Sequence, residues 1–144
     1  MKYYIDTSVY LNLWQKETDY KTKFKFWKAA EEFLQKAEDE NSLILYSGFV
    51  MKELMYILGD LFYEKREIFF DETRFKKIFA DVKDYNFARE LEKEFNFDIS
   101  FFDCIHITLA MKEKAILISR DKKLIEYAKK YCEAGKPEDF LSKE

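Results

Sequence analysis

The sequence has few of the residues that interrupt regular structure, with only 3 glycines and 1 proline among 144 residues. Flexible linkers and low-complexity segments are rich in Gly, Pro and Ser, so this scarcity argues against a hinged, two-domain chain. A chain of this length can bury roughly 70% of its unfolded surface by itself. We therefore predict a single domain over residues 1–144.

Cysteine and histidine are also scarce, with 2 cysteines and 1 histidine. Cys104 and Cys132 form no C-x-x-C motif and no secretion signal precedes them, so we expect reduced thiols in a cytoplasmic protein. The same scarcity disfavours a Cys/His zinc site. Long apolar runs are missing too. The longest candidate is Met51–Tyr63, and Lys52, Glu53 and Asp60 interrupt it, so we expect no membrane span.

An excess of positive charge is absent, since the formal net charge is -3. Proteins that coat nucleic acid non-specifically depend on dense Lys and Arg, so the charge argues against that class while leaving room for a local basic patch. What the chain has in abundance is aromatic residues, at 19%, and charged residues, at 37%. This composition indicates a helix-rich globular protein.

Short apolar segments alternate with amphipathic ones along the chain. The pattern predicts strands at Lys2–Ile5, Ser42–Ser47 and Ala115–Ser119, with a short edge strand near Tyr131–Glu133. It predicts helices at Val9–Trp14, Lys21–Ala37, Gly48–Tyr63, Arg74–Lys83, Asn86–Phe95, Phe101–Lys112 and Lys122–Lys130. Strands that alternate with helices favour an α/β fold with a parallel sheet.

Four acidic residues fall where the apolar pattern predicts burial. Asp6 and Asp121 each end a strand, and the carboxyl ends of parallel strands share one edge of a sheet. Glu53 lies in a helix, and its neighbours three and four residues away are all apolar or aromatic. Asp103 lies on a mostly apolar helix face. A carboxylate in such a position is costly unless it is paired or binds a metal.

Each acid also has a purely structural interpretation. Asp6 and Asp121 are suited to cap the helices that follow them, and Ser100 with Asp103 fits a capping box. Glu53 is harder to explain in this way, although an ion-paired Glu stays possible. The hypothesis of a functional site therefore rests on the four acids together.

Clustered carboxylates without a cluster of His and Cys favour a hard cation, so we expect Mg²⁺ or Mn²⁺. Such ions at the carboxyl edge of an α/β sheet usually serve phosphate chemistry.

Four segments, in this order and spacing, resemble the motifs of the PIN domain family and, within it, the VapC-like ribonuclease toxins of prokaryotic toxin–antitoxin pairs. They are Ile5–Val9, Ser47–Leu54, Phe102–Ala110 and Ile118–Asp121, and Pro137–Phe140 resembles the family's closing segment. The resemblance implies a PIN-like three-layer α/β/α sandwich with a central, mostly parallel sheet. It also implies a Mg²⁺- or Mn²⁺-dependent endoribonuclease.

Carried over residue by residue, the resemblance implies a set of catalytic, metal-binding acids and a set of supporting hydroxyls. The acids are Asp6, Glu53, Asp103 and Asp121; the hydroxyls are Thr7, Ser8 and Ser119. Ser119 stands where the family often has Thr, which keeps the hydroxyl. The resemblance implies an RNA substrate and a possible antitoxin partner, and we also expect a homodimer. The segment Glu64–Asp84 is long relative to compact toxins, which weakens the toxin assignment more than the fold.

Basic residues beside the motifs are candidates for contacts with RNA phosphates. They are Lys52, Lys112, Arg120, Lys122 and Lys123. For each of them a solvated helix face is the alternative interpretation. His106 fits a residue that orients a nearby acid better than a general base, and Cys104 lacks the partners of a nucleophile.

Two other functions stay open at the level of sequence. A non-catalytic PIN-fold module for protein binding would need none of the acids, yet all four are present. A Mg²⁺-dependent phosphatase of the haloacid-dehalogenase pattern needs a second acid two residues after the first, where this chain has Ser8.

Overall fold

The computed structural model describes residues 1–141. Over this range the chain forms seven α-helices and five strands. The strands are β1 (Lys2–Ile5), β2 (Leu43–Ser47), β3 (Phe75–Ile78), β4 (Ile116–Ile118) and β5 (Ala134–Gly135). The helices are α1 (Thr7–Trp14), α2 (Phe26–Asp39), α3 (Gly48–Leu58), α4 (Asp60–Lys65), α5 (Val82–Glu94), α6 (Phe101–Lys112) and α7 (Lys122–Ala128). Short 3₁₀ helices cover Arg66–Phe70 and Pro137–Phe140. The predicted domain extends to residue 144, and its last three residues lie outside the described range.

All strands of the sheet are parallel, in the order β3-β2-β1-β4-β5. Strand β1 is central, and Tyr4 pairs with Leu45 of β2 on one side and Leu117 of β4 on the other. The strand order reverses between β1 and β4, which is the place where open parallel sheets form a crevice at their carboxyl edge. The end of β1 thus lies at that crevice.

The two faces of the sheet are covered by different helices. Successive side chains of a strand point to opposite faces, and Tyr3 contacts Phe33 of α2 while Tyr4 contacts His106 of α6. Both tyrosines are fully buried, as expected for a parallel strand with helices on either side. The prediction of a three-layer α/β/α sandwich is confirmed, with an all-parallel sheet.

The predicted helix Arg74–Lys83 is wrong, because this segment contains β3. Phe75 and Ile78 are both buried, and their spacing of three residues suits a helix as well as a strand. Pairing with the open edge of β2 determines that the segment is a strand, since the N–H of Ile44 donates to the carbonyl of Arg74 at 2.8 Å. Asp71 accepts from the N–H and hydroxyl of Thr73 in the turn before β3.

Several boundaries also differ from the prediction. The long helix from Gly48 is divided at Gly59, whose φ of +56° is a left-handed conformation that ends α3. Helix α5 begins earlier than expected, because Asp81 and Asp84 form a capping box at its start. The edge strand occupies Ala134–Gly135 rather than Tyr131–Glu133.

Within the described residues, every helix is too short or too polar to span a bilayer.

Candidate metal centre

Asp6 lies directly after β1, and its side chain is buried, with 5% of the residue exposed. Its N–H donates to the carbonyl of Ile118 at 2.8 Å, which fixes the turn against the end of β4. Oδ2 accepts hydrogen bonds from the hydroxyls of Ser8 and Ser119, both at 2.8 Å. Asp6 stands at the N-cap position of α1 but makes no side-chain capping bond. The carboxylate is therefore available to other groups in the crevice.

Glu53 reaches the same crevice from α3. Its Oε1 accepts from the hydroxyl of Thr7 at 3.0 Å and pairs with Nε2 of His106 at 2.8 Å. The apolar neighbours on α3 therefore do not leave Glu53 without partners. The three predicted supporting hydroxyls all bind one of these two carboxylates.

His106 is completely buried and is held at both ring nitrogens. Nδ1 lies 2.7 Å from the hydroxyl of Tyr4, which in turn lies 2.7 Å from Oγ of Ser47. Nε2 faces Glu53, and Oδ1 of Asp6 lies 3.7 Å from it. Burial opposes the charged imidazole, but its hydrogen bond to the Glu53 carboxylate and the negative charges of Asp6 and Glu53 raise the pKa of His106 overall.

These three side chains form one compact donor set. One ligand atom each from Asp6, Glu53 and His106 lies within 4.8 Å of the others, although Asp6 follows β1, Glu53 lies in α3 and His106 lies in α6. Two carboxylates supply the hard oxygen donors that Mg²⁺ and Mn²⁺ prefer. The residues present therefore fit a divalent cation.

Asp103 lies on α6 beside this donor set and is half-buried. Burial, together with the negative charge of Asp6 and, to a smaller extent, of Asp121, raises its pKa to about 6. The hydroxyl of Ser100 accepts from the N–H of Asp103 at 3.1 Å and caps the helix. Repulsion between the carboxylates is the kind of strain that a bound cation relieves.

Asp121 is exposed and caps α7, because its Oδ1 accepts from the N–H groups of Lys123 and Leu124. The structural interpretation of this acid is thus confirmed, while its charge still acts on Asp103. Of the four predicted acids, the structure brings Asp6 and Glu53 together, while Asp103 lies near enough to Asp6 and Asp121 for their charges to act on it. Asp103 and Asp121 both lie outside the compact donor set, and Asp121 is the more exposed of the two.

Three of the predicted basic residues are engaged within the protein. Arg120 binds Glu138 through both terminal nitrogens, at 2.6 and 2.8 Å, and its Nε donates to Asn12. Lys123 pairs with Asp98 at 3.0 Å and Lys112 pairs with Asp84 at 2.8 Å. Lys52 and Lys122 are exposed and form no ion pair within residues 1–141. These two remain the best candidates of the set for contacts with an anion.

Sequence reasoning missed the connection that runs from Ser47 through Tyr4 to His106. The sequence predicted that His106 orients a nearby acid but did not identify Glu53 of α3, which the ring contacts. No local signal identifies Tyr4 as a polar residue of the site, because a tyrosine in a buried strand is ordinary core.

The family model of the PIN domain matches residues 3–130. No curated protein matches the sequence significantly.

Three solved structures resemble the fold over nearly its full length. That of VapBC2 from Rickettsia felis, bound to a DNA fragment from their promoter, has a TM-score of 0.71 at 19% identity and covers 94% of this chain and 98% of that chain. VapBC-1 from nontypeable Haemophilus influenzae has a TM-score of 0.66 at 16% sequence identity, and FitAcB from Neisseria gonorrhoeae has a TM-score of 0.62 at 15% sequence identity. Each match covers 96% of this chain and 99% of the other chain. At these identities the likeness is one of fold. Together with the family match over residues 3–130, it shows that the chain belongs to the PIN domain family.

Proposed function

We propose that this protein is a divalent-metal-dependent endoribonuclease that hydrolyses RNA phosphodiester bonds, and that it is the toxin of a toxin–antitoxin module. The observation that carries the proposal is the convergence of Asp6, directly after β1, and Glu53, in α3, on one crevice. Asp103 lies near enough for the charge of Asp6 to act on it. Membership of the PIN domain family supports the same function.

Asp6, Glu53 and Asp103 would hold the cation through their carboxylate oxygens, with Asp121 at the margin. Mg²⁺ or Mn²⁺, when bound, supplies activation of water and stabilisation of the departing oxygen. The surrounding side chains orient the acids: Ser8 and Ser119 fix Oδ2 of Asp6, while Thr7 and His106 fix Oε1 of Glu53. Such outer partners keep ligands in one geometry.

Lys52 and Lys122 would contact phosphates of the RNA, since both are exposed and form no ion pair within the described range. Lys123 and Arg120 would contribute only if RNA displaced Asp98 and Glu138 from them. The net charge of -3 requires that such contacts be local.

An antitoxin partner, a homodimer and a cytoplasmic location belong to the same proposal. The likeness of fold to VapBC structures supports the antitoxin. The exposed apolar side chains Met55, Tyr56 and Ile57 on α3 support an interface. Light scattering of the purified protein tests the dimer, and co-expression with the product of the neighbouring reading frame tests the antitoxin.

The test of the activity is cleavage of a mixed RNA pool with Mg²⁺, with Mn²⁺ and with EDTA. We expect wild type to cleave only with metal, and Asp6→Asn and Glu53→Gln to lose at least about 100-fold in rate. Asp39→Asn and Glu31→Gln, which change exposed acids of α2, serve as matched controls.

Cleavage by Asp6→Asn or Glu53→Gln at the rate of wild type, with and without EDTA, contradicts the proposal. Stabilisation of wild type by Mn²⁺ without any cleavage would instead favour the non-catalytic binding module.

A further inference from the structure

A second concave site lies beside the metal centre, at the carboxyl ends of β2 and β3. It has a volume of about 290 Å³, which is near the lower end of the range for small-ligand pockets. We call it the aromatic–lysine pocket and define it by Phe49, Lys52, Lys77, Phe79 and Tyr85. Lys77 and Phe79 lie on the segment that sequence analysis assigned to a helix, and neither was a candidate site residue.

The charged side chains that line this pocket are all positive. Lys52 and Lys77 line it, no acidic residue does, and neither lysine forms an ion pair in residues 1–141. Several other lysines of this acidic protein are paired with carboxylates, for example Lys112 with Asp84 and Lys123 with Asp98. Two unpaired ammonium groups around one concavity fit a bound anion.

The walls of the pocket are aromatic. Phe49 and Tyr85 contact each other with ring centroids 5.9 Å apart, and Tyr85 stacks on Phe101. Phe79 is 70% exposed, although it is a large apolar side chain, and Nζ of Lys77 lies 5.5 Å from its ring. Rings that are supported on one side and exposed on the other provide faces for a planar ligand.

The pocket adjoins the cleft that contains Glu53. Lys52 also lines the neighbouring cleft, whose walls include Glu53 and Phe102, and the rings of Phe49 and Phe102 are 5.2 Å apart. On the other side, Ser47 lines the pocket and its hydroxyl contacts Tyr4, which contacts His106. An extended polyanion could therefore occupy the pocket and reach Glu53.

We propose that the aromatic–lysine pocket binds one nucleotide of a single-stranded RNA, next to the nucleotide at the metal centre; the proposal rests on the proposed ribonuclease function. The base stacks on the rings of Phe79 and Tyr85, and the ammonium groups of Lys52 and Lys77 contact its phosphates. Duplex RNA is excluded from this mode, because its bases are already stacked on one another. A ligand with both a planar face and negative charge satisfies both halves of the pocket, whereas an acidic peptide satisfies only the lysines.

The test is the affinity for a fluorescein-labelled single-stranded RNA of mixed sequence, measured by anisotropy in EDTA so that no cleavage occurs. Phe79→Ala should weaken binding about tenfold, because stacking on one aromatic ring is lost. Lys77→Ala should weaken it about fivefold and lower the slope of log affinity against log salt by about 0.7, the value for one phosphate contact in a single strand.

Two variants are matched controls. Lys76→Ala removes the adjacent exposed lysine of β3, which does not line the pocket, and Phe70→Ala removes another exposed phenylalanine, 63% exposed. Both should bind within about twofold of wild type. Phe79→Leu keeps an apolar side chain without a ring, and it should show the same loss if Phe79→Ala proves unstable in thermal unfolding.

The proposal is overturned if the pocket variants bind like the controls. It is also overturned if an abasic strand binds as tightly as the RNA, or if polyglutamate displaces the RNA from wild type but not from Lys77→Ala. Cleavage of the RNA pool is scored separately. Cleavage without any effect of the pocket variants on binding refutes the pocket alone, whereas pocket-dependent binding without cleavage refutes the proposed activity and leaves the pocket.

Discussion

Nε2 of His106 lies 2.8 Å from Oε1 of Glu53, although the two residues are 53 positions apart in the chain. The pairing joins α6 to α3 beneath the crevice, and the hydroxyl of Tyr4 fixes the other ring nitrogen from the sheet. The buried imidazole therefore connects three elements and determines where the Glu53 carboxylate points. We interpret His106 as a positioning residue for Glu53.

Replacing His106 should affect both stability and metal affinity. His106→Ala leaves a cavity and removes a partner from the buried hydroxyl of Tyr4, so we expect a loss of about 2–4 kcal/mol in the free energy of unfolding. It also leaves Glu53 less constrained, and Mn²⁺ affinity should fall about 10–100-fold. Urea unfolding in EDTA and thermal-shift titration with Mn²⁺ measure the two effects.

Thr7→Ser is the matched control, because it keeps the hydroxyl that donates to Glu53. It should change Mn²⁺ affinity by no more than about threefold. A His106→Ala protein that binds Mn²⁺ as tightly as wild type would refute the positioning role.

The stability of the metal-free protein should fall as the pH rises from about 4 to about 6. Burial and the charge of Asp6 raise the pKa of Asp103 from its ordinary value of 3.8 to about 6. In that window the folded protein holds a proton that the unfolded chain has released, so ionisation of Asp103 disfavours the folded state. Asp103→Asn should flatten the profile there and be more stable than wild type at pH 7 in EDTA, as measured by urea unfolding.

The raised pKa of His106 acts in the same direction at higher pH. Its contribution is fully present below the unfolded value of 6.5 and is lost as the pH rises through the folded value. A remaining decline above pH 6.5 in Asp103→Asn is therefore expected and belongs to His106. Equal steepness of wild type and Asp103→Asn between pH 4 and 6 would contradict the assignment to Asp103.

Metal binding should compete with the proton on Asp103. If this carboxylate helps to hold the cation, the apparent affinity for Mn²⁺ should weaken as the pH falls below about 6, because the ligand must lose its proton first. Isothermal titration in two buffers of different ionisation enthalpy detects the released proton. Identical Mn²⁺ affinities at pH 5 and pH 7 would argue against Asp103 as a ligand.

The central acids could be identified from the sequence because each contradicts its surroundings. Glu53 is an acid among apolar helix neighbours, and Asp6 ends a buried strand at the carboxyl edge of the sheet. Only the structure shows that Asp6 makes no capping bond. The partners of these acids could not be identified in the same way. The contact of His106 with Glu53 depends on how α3 and α6 pack across the sheet, and neither segment alone contains that information.

Strand β3 shows a second limit of sequence reasoning. Phe75 and Ile78 are buried and three residues apart, which fits a helix turn as well as the short stretch of strand that they form. Pairing with the open edge of β2 determines the outcome, and such a long-range contact has no local signature. The aromatic–lysine pocket was missed for the same reason, because Lys77 and Phe79 reach it only when this segment is a strand.

Arg120 should contribute to stability through Glu138 rather than through contact with RNA. Its side chain is only 12% exposed, its guanidinium binds both oxygens of Glu138, and its Cζ lies 4.4 Å from the ring centroid of Phe26. A double-mutant cycle of Arg120→Ala and Glu138→Ala should give a coupling energy of about 1 kcal/mol by urea unfolding. Arg120→Lys should lose most of it, because an ammonium group cannot form the bidentate pair.

Measurements of RNA affinity distinguish this structural role of Arg120 from the role in contacting RNA that the sequence predicted. Arg120→Ala should bind single-stranded RNA within about twofold of wild type, and Lys122→Ala should bind more weakly with a reduced salt slope. A larger loss of affinity in Arg120→Ala than in Lys122→Ala would return Arg120 to the group of RNA contacts.

Gly135 should not tolerate a side chain, because Asp139 and Phe140 of the closing segment lie against it. A Cβ at this position would lie 2.8 Å from Cε2 of Phe140 and 3.1 Å from Oδ2 of Asp139. The ring of Phe140 packs against Tyr3 and Phe33 and cannot retreat freely. Gly135→Ala should therefore lower the free energy of unfolding by about 1–3 kcal/mol.

Gly48 is the matched control for Gly135, because a Cβ there would meet nothing within 4 Å. Gly48 is the first residue of α3, and Gly48→Ala should stabilise the protein by about 0.4–1 kcal/mol by restricting the unfolded chain. Urea unfolding of both variants in EDTA gives opposite signs if the two environments are as described. A Gly135→Ala protein as stable as wild type would mean that β5 and the 3₁₀ helix Pro137–Phe140 pack less closely than in the structure. The ion pair of Arg120 with Glu138, which lies in that 3₁₀ helix, would then be less well fixed.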